Sequence, residues 1–108
     1  MSKLGDPKHK KEISKAFREL EKLGFKVWNF SSNKRLNIGM KDWVDYVVAN
    51  KNNIYLLELK IGGDVFSEGQ LATRKIIGEL SRKGDIIHYF IVNEVNYRQI
   101  IDTIIEIG

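Results

Sequence analysis

Val44-Asp-Tyr-Val-Val-Ala-Asn-Lys-Asn-Asn-Ile-Tyr-Leu-Leu-Glu-Leu-Lys60 is the stretch that decides how this chain folds. Two apolar runs flank the polar tetrad Asn50-Lys-Asn-Asn53, which predicts strands over 43–49 and 54–61 joined as a hairpin. Asparagine tolerates positive φ, which suits a short turn. Side chains on a strand alternate faces, so Glu58 and Lys60 project to one side with Leu56, while Leu57 and Leu59 point to the other. The turn folds Asp45 back towards the end of the second strand. One hairpin thereby gathers two carboxylates and an ammonium. Two negative charges held together call for a cation, and oxygen ligands of this kind suit a hard ion such as Mg²⁺. The plainer alternative is an exposed Glu58–Lys60 ion pair with Asp45 unrelated. Against it, 54–61 is otherwise almost wholly apolar, and charges inside such a strand need a reason.

Upstream, Ile13, Ala16, Phe17, Leu20 and Leu23 recur at helical spacing, predicting a helix over 7–23. Asp6 precedes Pro7 as an N-cap would, and Gly24 supplies the stop. Residues 25–30 alternate like a strand, and 31–40 form a polar loop containing Lys34, Arg35 and Gly39. Downstream, Gly62-Gly-Asp64 breaks the second hairpin strand. A helix is expected from Ser67 to about residue 83, with Ala72, Ile76, Ile77 and Leu80 on its buried side. The β-branched and aromatic run 86–92 predicts an internal strand. Isoleucine pairs four apart, Ile100/Ile101 and Ile104/Ile105, predict a last helix over 97–107. The order is αβββαβα. It implies one α/β domain spanning 1–108, a mixed sheet flanked by helices, with 1–11 a basic arm and helix start.

The chain has 108 residues, 43% hydrophobic and 30% charged, a balance that favours a folded, soluble domain. Without cysteine, disulfides, zinc–thiolate sites and thiol nucleophiles are excluded. No apolar run approaches the roughly 18–20 residues of a membrane span. The first eleven residues lack the apolar centre of a secretory signal, so a cytoplasmic location is expected. Net charge is +4, with ten Lys/Arg against four Asp/Glu in residues 1–35 and eight against ten thereafter. A basic end beside an acidic cluster suits a polyanion substrate and a metal site, although a solvated lysine-rich helix would have the same composition.

At these residues the sequence resembles a known family. Val44-Asp45-Tyr46-Val47-Val48, a hairpin, then Leu56-Leu57-Glu58-Leu59-Lys60 is similar to the signature of the PD-(D/E)XK nucleases. The thirteen positions from Asp45 to Glu58, and the Leu23-Gly24-Phe25 entry into the first strand, resemble archaeal-type Holliday-junction resolvases. Gly63-Asp-Val-Phe-Ser-Glu-Gly-Gln70 resembles the Ser-x-x-Gln element of the VRR-NUC branch. The resemblance covers about residues 12–92. It implies a restriction-endonuclease-like αβββαβ core with an extra C-terminal helix, and Mg²⁺-dependent hydrolysis of DNA phosphodiesters, with Mn²⁺ as a substitute. Branched or Holliday-junction DNA, met in repair and recombination, is the implied substrate.

By the same resemblance, Asp45 and Glu58 become metal ligands assisted by the Leu59 carbonyl, Lys60 the catalytic lysine and Gln70 an auxiliary catalytic residue. Glu12 is the candidate for a further ligand from the first helix, with Glu19 its rival. Two departures stand out. Val44 occupies the place of the family's usual Pro or Gly, and Asp42, three residues after Gly39, competes as the motif aspartate. Asp45 is preferred for its spacing and the apolar run that follows it. Gln70 has a second reading, because Ser67-Glu-Gly-Gln70 is also a helix capping box. His9 and His88 suggest no motif, and Trp28 and Trp43 fit core or interface positions.

DNA contacts are assigned to Lys34 and Arg35. A homodimer is expected, since two strand cuts need two sites and the isoleucines of 100–107, with Trp43, Phe66 and Tyr97, offer apolar surface. A non-catalytic nucleic-acid-binding module, using the basic N-terminal helix, is the alternative that does not require Asp45, Glu58 and Lys60 to converge.

Overall fold

Helix α1 (Pro7–Glu19) buries Ile13, Ala16 and Phe17 and continues into a 3-10 turn, Leu20–Leu23, in which Leu20 is buried. The computed structural model describes residues 7–30, 43–61 and 67–108, with the side chains of 7–9 excepted. Gly24 ends the turn at φ 97°, where its N–H donates to the Glu21 carbonyl and the Phe25 N–H donates to that of Leu20, each at 3.2 Å. This is a Schellman stop, which needs a residue free to adopt positive φ. It delivers Phe25 into the core beside Leu20 and leaves Leu23 58% exposed. Leu23 was expected to extend the buried stripe; Phe25 takes that place instead.

Strands β1 (Lys26–Asn29), β2 (Tyr46–Ala49), β3 (Ile54–Leu59) and β4 (Ile87–Val92) form one mixed sheet in the order β1-β2-β3-β4. The first two pairings are antiparallel and β3–β4 is parallel. Helices α2 (Glu68–Lys83) and α3 (Tyr97–Ile107) complete the order αβββαβα predicted above. Between β2 and β3 the turn works differently from expectation, since no described non-glycine residue has positive φ. Instead the Asn50 side-chain oxygen accepts from the N–H groups of Asn52 and Asn53, each at 2.9 Å, and the Asn50 N–H donates to the Asn53 carbonyl at 3.0 Å. The asparagine acts through its side chain, closing the turn without a left-handed residue.

Alternation along the strands creates two cores. Tyr46, Val48, Tyr55, Leu57, Leu59 and Val92 meet α1 and α3 on one face. On the other, Val47, Leu56 and Val44 pack around Ile77 of α2, with Ile54, Ile87 and Tyr89 against them. Two expectations for this second face are corrected. Of the α2 residues read as buried, Ile77 is, whereas Ala72 is exposed, Ile76 is 61% exposed and Leu80 46% exposed. Strand β4 lies at the sheet edge rather than inside it. Its apolar density has a different cause: helices cover both of its faces, so its residues are half-buried and Val92 fully buried.

Small polar clusters close the ends. The Asn53 amide donates to the Gly108 carbonyl at 2.7 Å, and its oxygen lies 3.0 Å from His88 Nε2, whose ring stacks on Tyr55 at 4.8 Å. Among the described residues, no helix is long and apolar enough to cross a membrane.

Candidate active site

Asp45 sits one residue before β2, where the antiparallel ladder with β3 stops at the pair Tyr46–Leu57. Its backbone is held on both sides: the carbonyl accepts from the Phe30 N–H at 2.8 Å and the N–H donates to the Leu57 carbonyl at 3.0 Å. Beyond that point the side chain takes over from the ladder. Asp45 Oδ2 accepts the Leu59 N–H at 2.7 Å, which pins the carboxylate against the end of β3. That contact satisfies a donor which the ended ladder would leave open, so Asp45 has a structural task.

Glu58 faces α2, as the strand alternation requires, and is only 1% exposed. It is the one charged side chain buried among the described residues. Removing a carboxylate from water costs several kcal/mol in an apolar setting, so a fold keeps one there only where polar neighbours or function require it. One neighbour is Gln70, whose amide nitrogen lies 3.4 Å from Glu58 Oε2. The Gln70 oxygen accepts from Lys60 Nζ at 2.9 Å and from the Ser67 N–H at 3.1 Å, while Ser67 Oγ accepts from the Gln70 N–H at 3.2 Å. The capping box is therefore real, and the same glutamine bridges Lys60 to Glu58. Capping the helix and bridging Lys60 to Glu58 are thus compatible in one side chain.

Tyr89 completes the surroundings and was not singled out from the sequence. It pairs in register with Leu56, which puts it on the face of Glu58. Its hydroxyl is the one buried side-chain polar atom without a hydrogen-bond partner among the described residues. Burial pushes its phenol up to about 12, with the Glu58 carboxylate adding to the shift, Arg74 opposing it and Asp45 adding to it. The phenol thus lies in the field of both carboxylates. The alternation of β4 allows this placement, but the parallel register that selects Tyr89 is non-local.

This carries a pH prediction. The unfolded chain loses the Tyr89 proton near 10 and the folded chain near 12, so folding stability declines as pH rises through that window. Tyr89→Phe should flatten part of the decline; Tyr55, whose pKa burial also raises, retains its share. Urea midpoints with a chelator present, at about pH 9 and about pH 11, check it. An unchanged difference between the two midpoints would refute the assignment.

The other predicted residues fall differently. Glu12 is exposed on α1, which packs on the sheet face opposite Glu58. Among the described residues no three carboxylate or imidazole groups assemble into a metal-holding cluster. Its rival Glu19 accepts from Arg98 of α3 at 3.3 Å, an exposed pair that ties two helices together. Asp42, Lys34, Arg35 and Phe66 lie outside the described residues. No family model matches the chain, and no curated protein or solved structure matches it.

Proposed function

We propose that this chain is a divalent-metal-dependent DNA endonuclease whose sheet and helices form a restriction-endonuclease-like core of the PD-(D/E)XK type. The observation that carries this reading is the meeting of Asp45, Glu58, Lys60 and Gln70 at one end of β3, with Glu58 buried. The donor set fits a hard cation. Mg²⁺ typically takes one or two carboxylates and completes its shell with water and substrate oxygens, so Asp45, Glu58 and the Leu59 carbonyl suffice without a third acidic residue. Bound there, Mg²⁺ (or Mn²⁺) supplies charge neutralisation at the phosphodiester and a more acidic water. The chain's own residues do the positioning. Asp45 is oriented by the Leu59 N–H, and Gln70 holds Lys60 beside Glu58, where its ammonium can orient the attacking water or stabilise charge developing on the phosphate.

Branched DNA, including the Holliday junction of recombination and repair, is the preferred substrate that the family resemblance implies, and recognition by shape and phosphates is consistent with it. The test is a titration of divalent metal against plasmid and four-way-junction substrates. Cleavage that requires Mg²⁺ and favours the junction is expected. Binding without cleavage at any metal concentration would replace this reading with a non-catalytic nucleic-acid-binding module, for which exposed Lys10, Lys11, Lys15 and Arg18 on α1 are the favouring observation.

The active unit is proposed to be a homodimer, which supplies two cuts from two identical sites. Its surface is narrower than the sequence suggested. Ile101 and Ile104 belong to the core, with Ile100 and Tyr97 packed against it, leaving Ile105 and Ile107, each 44% exposed, and Trp43 at 37%. Sedimentation at micromolar concentration is expected to give twice the chain mass. A monomer mass, both free and with DNA bound, would overturn the dimer and leave a nicking enzyme.

A further inference from the structure

Beside the carboxylates lies a second feature, on the side of α2 that faces β4. Leu71, Arg74, Lys75, Gly78 and Arg82 recur at three- and four-residue intervals, and with Tyr89 they line an open groove of about 500 Å³. That volume would suit a small organic ligand, but such sites are mostly apolar, and here three of the lining side chains are cationic and none is acidic. Among the described residues no carboxylate forms an ion pair with Lys75 or Arg82. Gly78 leaves the floor open, since a Cβ there would meet nothing within 4 Å. From Arg74 to Arg82 the helix rises roughly 12 Å, about the rise of three to four nucleotides of one strand. Tyr89 lines the groove from the sheet face that carries Glu58, and its hydroxyl is buried and, among the described residues, without a partner. A buried donor left unpaired is costly and calls for an acceptor.

We propose that this groove seats the phosphate backbone of one nucleic-acid strand and leads it to the carboxylate pair. Arg74, Lys75 and Arg82 neutralise its phosphates, and the Tyr89 hydroxyl donates to the phosphate nearest Glu58. The proposal rests on the nuclease reading of Asp45 and Glu58 for its direction, and on the groove itself for its chemistry. Arg74 and Tyr89 line the same groove, which joins the cationic row to the tyrosine.

The test uses the full chain carrying Asp45→Asn, so that DNA is bound without being cut, and fluorescence polarisation of a labelled four-way junction and a labelled duplex. Adding Lys75→Ala with Arg82→Ala should weaken binding by about tenfold or more at low salt, and reduce the slope of log K against log salt by about one per residue removed. Tyr89→Phe, in the otherwise unaltered chain, should slow cleavage about tenfold with the salt slope unchanged and the melting temperature equal or higher, because it deletes an unpaired hydroxyl. A merely structural tyrosine would lose stability and activity together. Parental affinity and slope in the Lys75/Arg82 variant would overturn the groove while leaving the nuclease reading intact. Groove-dependent binding by a chain that never cuts would do the reverse. Absence of any nucleic-acid binding would remove both.

Discussion

Asp45→Asn, Glu58→Gln and Lys60→Ala are each expected to lower metal-dependent cleavage by about a thousandfold, with DNA affinity little changed. The separation follows from where the charges stand. In the proposed reading the cationic groove on α2 takes the phosphates, whereas the three motif residues sit at the end of β3. Stability discriminates the residues further. An asparagine oxygen at position 45 can still accept the Leu59 N–H, so that variant should melt close to the parent. Glu58→Gln removes the one buried charge among the described residues while keeping the shape, and should be equal or higher in stability by about 1–2 kcal/mol. Loss of activity with gained stability marks a residue retained for function. Full turnover in any of the three variants would show its role to be wrong. Asp42→Asn, the control for the competing motif, should cost far less.

A second large effect is expected in the core. Phe17 is fully buried and lies 4.9 Å, ring to ring, from Tyr46, so Phe17→Ala should destabilise the fold by about 3–5 kcal/mol. For a domain of this size that lowers the melting temperature by roughly 10 °C or more. Ile76→Ala, on the exposed side of α2, should stay within about 0.5 kcal/mol. Thermal melts of the two variants check the pair. Comparable losses would mean that α2 packs through Ile76 as its periodicity alone suggested.

That contrast illustrates which parts of the molecule could be read from residues in a row. Helix α1 was legible because Ile13, Ala16, Phe17 and Leu20 form a single stripe with polar residues elsewhere. The hairpin was legible because strand alternation forces Glu58 and Lys60 to one side, and the turn then decides where Asp45 goes. Helix α2 was not. Ile76 and Ile77 are adjacent and both apolar, and only the docking of the helix on the sheet selects Ile77. Strand β4 read as internal because apolar density reports burial of its two faces and says nothing of its edges. Tyr89 escaped notice because its neighbour Leu56 is brought to it by a parallel pairing with no local signal. The dual use of Gln70 was half visible: the capping box lies within four residues, while its reach to Lys60 and Glu58 depends on how α2 docks.

The mixed pairing of the sheet also sets an order of assembly. Ala49 meets Ile54 across a four-residue turn, whereas Ile54 meets Ile87 only after the chain has traversed α2. Local closures cost little entropy and form fast; distant parallel pairings form late. The hairpin that brings Asp45 to the end of β3 is therefore expected to be native-like early, with Glu58 still hydrated. Docking of α2 and β4 strips that water in a late step, so the penalty of enclosing the carboxylate falls on the native side of the barrier. Neutralising Glu58 should then slow unfolding more than it speeds refolding, so that the residue that would serve the chemistry also shortens the lifetime of the folded chain.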